Sequence, residues 1–502
     1  MRSIDLSSPA GIMTALLPEI LLTVWSLLAL LVVAWRHRTA ADSRLAGWVS
    51  LAGVVSSAAA LAALWVQDAA AQGLPLMVAL DGFRYASLAI ILISAGATIL
   101  VSLAYMEREG LIAPEYYPLI LLATAGMMFL AGAEDLIVLF LGLEVMSVAV
   151  YVLAGFDRRN LASSEAALKY FLIGAFASGF LLYGIALVYG ATGNTNLQLI
   201  GAQLAGPATP LIAKLGLGLL IIGLGFKVAA VPFHMWAPDV YDGAPTPVTG
   251  FMATGVKVAA FVAFARLLME AFPSAASVWQ PVVGVMALVT MIVGNLIALA
   301  QRSVKRMLAY SSIAHAGYLL VALWPGTHLG AGSVLLYLFA YVLTTLAAFA
   351  LLASLGRGGE RNVHVDDLAG LASSRPWSAA ALAICMLSLV GFPGTVGFIG
   401  KWTILQAVIA EQHYVLPVVL VITSVISLGY YLPVIMAMYM KPAPAQPAHA
   451  GILLPRASAA VVAVTVLAVI LFGVWPSGAV DSAVRSARSL TQTLMPVAER
   501  TP

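Results

Sequence analysis

Between Gly11 and Trp475 the chain is a succession of apolar runs, each about twenty residues or longer, separated by short polar connections. Hydrocarbon offers backbone N–H and C=O groups no partners, so such runs cross a membrane as α-helices whose hydrogen bonds close internally. A hydrocarbon core of roughly 30 Å takes about twenty apolar residues per crossing. The sequence therefore predicts an all-α polytopic membrane protein with about fourteen transmembrane helices. Composition agrees, since 62% of the 502 residues are hydrophobic and only 9% are charged. No soluble domain is built that way.

The expected spans fall near residues 11–35, 45–66, 85–105, 117–133, 134–156, 163–190, 210–236, 246–268, 278–300, 304–324, 330–355, 377–413, 414–440 and 452–475. The first has no positively charged leader pattern and reads as a retained helix. Alternate connections collect the positive charge: Arg36, Arg38, Arg44, Arg108, Arg158, Arg159, Arg302, Lys305, Arg306, Arg357, Arg361 and Lys441 all share one parity. By the positive-inside rule those connections are cytoplasmic and both termini are periplasmic. The other side carries Arg84 and Arg266, and then Arg485, Arg488 and Arg500 in the tail. Either that tail is a surface segment packed on a partner, or the count of spans is off by one.

Two spans are irregular in a way that matters. At 1.5 Å per residue the run 377–413 would extend about 55 Å as a straight helix. It contains Gly391-Phe392-Pro393-Gly394, and proline removes a backbone donor and clashes with the preceding turn. The earlier span carries Gly223-Leu224-Gly225-Phe226-Lys227 followed by Val231-Pro232-Phe233-His234. Both helices should be discontinuous. Interrupted helices in corresponding places of two halves signal an inverted repeat with a transport site at each break.

A lysine or carboxylate at the middle of a spanning helix costs about 2.5 to 3.5 kcal/mol, so it is paired, hydrated or functional. Glu144, Lys257 and His315 each lie about ten residues inside a span, about 15 Å deep. Lys227 and Lys401 adjoin the two breaks, where freed carbonyls can steady an ammonium. Burial lowers a lysine pKa and raises a glutamate pKa while pairing does the reverse, so making and breaking a pair moves protons. Glu144 with Lys227 is the expected pair. Histidine suits a relay because it titrates near neutrality. Lys169 lies nearer the cytoplasmic end, and Lys214 is close enough to a helix end to snorkel. His234, Asp239 and Asp242 fit either a proton-delivery route or a solvated loop.

Other chemistry lacks its signals. There is no phosphate-binding glycine loop, no dinucleotide fingerprint and no spaced Cys/His ligand set. The single cysteine, Cys385, excludes a thiolate-held iron–sulfur cluster within the chain. The net charge of +3 is dispersed, which argues against nucleic acid as a partner.

The string Phe226-Lys227 through Pro232-Phe233-His234-Met235-Trp236-Ala237-Pro238-Asp239-Val240-Tyr241-Asp242-Gly243-Ala244-Pro245-Thr246-Pro247-Val248 resembles the antiporter-like subunits of bacterial respiratory complex I, NADH:quinone oxidoreductase. Leu143-Glu144, Ala166 to Phe171, Lys305 to Tyr318 and Gly397 to Trp402 fit the same family in order. Within it, Pro238 to Val248 is most similar to the subunit N branch. The resemblance implies two inverted five-helix repeats, each a half-channel: residues 1–115 carry helices one to three, 116–270 the first repeat, 271–440 the second, and 441–502 the last helix and tail. It implies that Glu144 pairs with Lys227, that Lys169 tunes this site, that Lys257 is the central lysine, that His315 bridges the halves, and that Lys401 faces the exit. It further implies a bacterial inner-membrane location, with membrane lipids and the other membrane-arm subunits as partners. FMN, iron–sulfur clusters and quinone would belong to those partners and the NADH-oxidising arm, with no cofactor in this chain. The related multisubunit sodium/proton antiporters share the charged spans and are the alternative.

Overall fold

The computed structural model describes residues 4–5, 8–66, 71–72, 77–206, 209–355, 364–442 and 454–492. Apart from a two-residue parallel pairing of Ile4–Asp5 with Ala71–Gln72, its regular structure is helical. Among the described residues ten helices are long and apolar enough to cross a membrane: Leu17–Trp35, Ala40–Val66, Gly82–Arg108, Leu136–Ala154, Leu161–Thr192, Thr246–Ala271, Pro273–Ala298, His328–Leu355, Val415–Met440 and Arg456–Val474. Tyr116–Ala131 is shorter, and Val304–Leu323 is long but carries more polar residues. Caps set the ends. Side chains of Asp81, Asp135, Asn160, Asn196 and Ser303 accept first-turn amides, and Gly193 ends its helix in the left-handed region.

Both expected discontinuities are present. Leu211–Lys227 stops at Lys227, an irregular segment follows, and Trp236–Gly243 resumes as a short helix. Pro376–Val390 stops at Gly391 (φ +89°), and Val396–Ile409 resumes after Gly394 (φ +88°). The backbone groups freed at the breaks find partners within the protein. Trp236 Nε1 donates to Phe226 O at 3.0 Å, and the Val231 amide donates to Thr290 Oγ1 at 2.9 Å.

Several expected limits shift. The run at 11–35 is two helices, Pro9–Ala15 and Leu17–Trp35, divided at Leu16 just ahead of Pro18. The run expected at 134–156 begins at Leu136, because Asp135 caps the helix and leaves Glu134 in the connection. The tail forms the helix Ser477–Gln492, which packs on this chain itself: Ala483, Ala487 and Leu490 are buried. Val484 lies against Gly332 and Ser486 against Gly82. Arg357, Arg361 and Arg500 fall outside the described residues.

The most apolar stretch of Thr246–Ala271 is wholly buried, and that of His328–Leu355 nearly so. These two form the centre of the bundle. Leu17–Trp35, Leu161–Thr192, Val415–Met440 and Arg456–Val474 lie outside and turn most of their apolar surface outward. Where Tyr116–Ala131 crosses Leu136–Ala154 the backbones nearly touch; a Cβ on Gly126 would fall 2.4 Å from the Met146 amide nitrogen.

Candidate functional site

The central helix widens into a π-helical turn at Met252–Val256, and Lys257 follows it directly. This buried ammonium donates to the carbonyl and to the hydroxyl of Ser312, each at 2.5 Å, and stands 5.3 Å from the Tyr341 ring centre. Ser312 belongs to Val304–Leu323, which also supplies Ser311, His315 and Tyr318 on buried faces. Ser311 Oγ hydrogen-bonds Tyr431 OH. Tyr431 OH lies 3.2 Å from His315 Nε2, and His315 Nδ1 lies 2.6 Å from Tyr337 OH. Either imidazole tautomer fits, because each tyrosine hydroxyl can donate or accept.

Lys401 sits one turn into the second half of the broken helix. It reaches back to donate to the Val390 carbonyl at 2.8 Å, one of the groups freed by the break, and to Ser424 Oγ at 2.9 Å. Its ammonium stands 4.6 Å from the Tyr318 ring centre, and Tyr318 meets His315 edge-on. A cavity of about 220 Å³ lined by Lys401, Ser424, Gly391 and Trp402 opens beside it. The polar groups around His315 are completed by Asn295, whose Nδ2 donates to Tyr318 OH at 3.1 Å and whose Oδ1 accepts from Tyr430 OH at 2.9 Å.

The other break is built differently. Lys227 is buried at the last turn of its helix, with its Nζ 5.4 and 5.1 Å from the ring centres of Tyr151 and Tyr170. Its one hydrogen bond among the described residues, to Tyr170 OH, is long at 3.5 Å. Glu144 is half-buried and accepts from Ser178 Oγ. Glu144 and Lys227 are thus near each other without a direct ion pair. Leu143, Ser178, Phe226 and Lys227 line a small cavity there, with room for about one water molecule.

Lys169 does not join this group. It is partly exposed and pairs with Glu165 at 2.6 Å and Asp239 at 2.9 Å, and Arg306 also reaches Asp239 at 2.9 Å. Ser303 bonds Asp242 at 3.1 Å, while Nδ1 of His234, in the first break, is buried with no partner among the described residues. Lys214 is exposed. The hydroxyls of Ser311, Ser312, Tyr337 and Tyr431 were not singled out from the sequence, because serines and tyrosines in apolar helices carry no charge signal. Their spacing around His315 was the available clue: Ser311 and Ser312 stand one helical turn before it.

A family model described as "NADH:quinone oxidoreductase/Mrp antiporter, TM" matches residues 133–427. The NADH-quinone oxidoreductase subunit N of Gemmatimonas aurantiaca is 45% identical, covering 99% of this chain and 97% of its own length. A chain in the structure of respiratory complex I from Thermus thermophilus with bound aureothin is 35% identical at a TM-score of 0.78, covering 93% of this chain and all of that one. A chain of the Mrp complex from a Dietzia species superposes at a TM-score of 0.85 over 96% of this chain and 98% of its own, but at 23% identity it speaks to the fold alone. With more than half its length matched by the family model and nearly all of it aligned to a relative at 45% identity, the chain belongs to the NADH-quinone oxidoreductase subunit N family of antiporter-like membrane subunits.

Proposed function

We propose that this chain is a proton-translocating membrane-arm subunit of an NADH:quinone oxidoreductase. The observation that carries this reading is the run of buried ionisable groups across the bundle, Lys227, Lys257, His315 and Lys401, with hydroxyls interposed where the gaps are shortest. Membership of the subunit N family supports the same reading. From Lys257 a proton passes to Ser312, enters the Ser311–Tyr431–His315–Tyr337 chain, and reaches Lys401, whose ammonium is stabilised by the Val390 carbonyl. The steps without a direct hydrogen bond, Glu144 to Lys227, Lys227 to Lys257, Ser312 to Ser311 and the last step to Lys401, require intervening water or side-chain rotation. Glu144 modulates the Lys227 charge by way of Ser178, which donates to it and lines the small cavity with Lys227, and Lys169 with Asp239 and Arg306 marks the cytoplasmic rim.

In this reading the chain crosses a bacterial inner membrane fourteen times, with both termini periplasmic. Residues 116–270 and 271–440 are inverted repeats, each a half-channel containing one broken helix, flanked by 1–115 and 441–502. The chain holds no redox centre. Electrons travel through FMN, iron–sulfur clusters and quinone in partner subunits, and this subunit takes up the released energy.

Purification of the tagged chain in mild detergent, with mass spectrometry of its partners and an inhibitor-sensitive NADH:quinone assay, tests the reading. Flavin and iron–sulfur subunits with NADH:quinone activity are expected. Cofactor-free partners with sodium-dependent proton exchange would favour the antiporter alternative, which the likeness to the Mrp chain keeps in view.

A further inference from the structure

The end of the bundle opposite Lys169 and Arg306 holds six charged groups that the lysine route leaves unused. Arg266 is fully buried. Its Nη2 donates to both oxygens of Asp81, at 2.8 and 2.9 Å, while Nη1 donates to Glu270 Oε1 at 2.8 Å and lies 3.6 Å from Glu134 Oε1. Beside it Arg84 pairs with Glu19 at 2.6 Å, both fully buried. If all were ionised, four carboxylates would face two guanidiniums, leaving two uncompensated negative charges in a largely buried site.

A second observation points to what relieves that excess. Glu270 is only 2% exposed, yet among the described residues its Oε2 has no hydrogen-bond partner, and its carboxyl lies within 4.8 Å of those of Asp81 and Glu134. An ionised oxygen stranded in this way is expensive. Protonation removes one charge and turns an orphaned acceptor into a donor among neighbouring acceptors, as in paired catalytic carboxyls. A divalent ion fits poorly, because the Arg266 guanidinium already lies among the three carboxyls.

We propose that Asp81, Glu134 and Glu270 hold one exchangeable proton around Arg266, forming the proton-release site at the outer end of the Lys257 helix. The assignment of release rests on the proposed function; the bound proton itself does not. Glu270 is about 20 Å along the same buried helix from Lys257. Glu134 lies in a connection outside the spans, and burial pushes its carboxyl up to about 7, with Arg266 pulling down and Asp81 pushing further up. Gln198 donates to Glu134 Oε2 at 2.9 Å, and the Arg84 amide donates to Asp81 at 2.7 Å. The remaining titratable or charged groups on the surrounding elements are Asp135, bonded to Thr195, His328, and Asp481, Arg485 and Arg488 of the terminal helix.

Infrared difference spectroscopy on the intact complex tests this. A protonated-carboxyl C=O band is expected that disappears on alkaline titration, is lost in Glu270→Gln or Glu134→Gln, and survives in Glu144→Gln. The wild-type titration needs no variant, so the proposal stays refutable even if a substitution prevents assembly. A wild-type complex with no titrating carboxyl band, or a band untouched by both substitutions, overturns the proposal. Pumping by Lys257→Met is read separately: if it is normal while the Glu270 band behaves as expected, the transport reading fails and the bound proton stands.

Discussion

Tyr431→Phe removes one oxygen from the polar centre and leaves the rest of the ring in place. That oxygen is bonded to both Ser311 Oγ and His315 Nε2, the latter at 3.2 Å, so it joins the serines beside Lys257 to the imidazole. The ring stays packed on Tyr430, 4.4 Å between centres, and no cavity larger than a hydroxyl opens. Each lost hydrogen bond has a net worth of about 0.5 to 1.5 kcal/mol, so the pair is worth about 1 to 3 kcal/mol. If that loss falls on the transition state for transfer, this step slows by about 5- to 150-fold at 1.36 kcal/mol per tenfold. The assay is proton uptake per NADH oxidised by the complex reconstituted in vesicles, with thermal stability measured in parallel. The expected result is a reduced proton yield in an assembled complex. An unchanged yield accompanied only by a lower melting temperature would refute the relay and leave Tyr431 as a packing residue.

Two further outcomes follow from the geometry. A Cβ on Gly397 would fall 1.9 Å from the Ser388 carbonyl oxygen, backbone that cannot rotate away, so Gly397→Ala should force the halves of the second broken helix apart. Overpacking of this kind costs about 1 to 3 kcal/mol or more, and assembly on native gels should drop; full assembly with normal activity would contradict the close packing. For Glu134 the folded pKa lies above the ordinary 4.5, at about 7, so its stabilising contribution is present below 4.5 and is lost as pH rises through 7. Thermal unfolding of the purified chain should show up to about 3 kcal/mol of stability lost across that window, and Glu134→Gln should flatten it. Parallel curves for the two proteins would remove Glu134 from the pH response.

Much of the fold was legible because hydrophobic runs and breakers act locally. Apolar length places each helix, and Gly391-Phe392-Pro393-Gly394 breaks its helix where proline chemistry requires. Lys257 and His315 fall at mid-helix, as counting positions indicates. What a side chain touches was less legible, because contacts depend on how helices rotate against one another. Glu144 and Lys227 look like an ion pair on paper, yet Tyr151 and Tyr170 flank the ammonium and Ser178 takes the carboxylate. Arg84 and Arg266 read as ordinary loop charges near helix ends, whereas folding closes both over with Glu19, Asp81, Glu134 and Glu270. The four-residue spacing of Arg266 and Glu270 within an apolar run was the clue to that cluster.

The central claim is that a proton travels through Lys257. Lys257→Met keeps the length of the side chain and removes the ammonium. Two charge-assisted hydrogen bonds to Ser312 are lost, while the desolvation cost of several kcal/mol per buried ion is relieved, so stability should change little. The decisive measurement is the number of protons moved per NADH by the reconstituted complex carrying this substitution. An assembled complex whose yield falls below wild type across the working pH range is expected. A wild-type yield would mean that protons bypass Lys257 and that its burial serves structure alone.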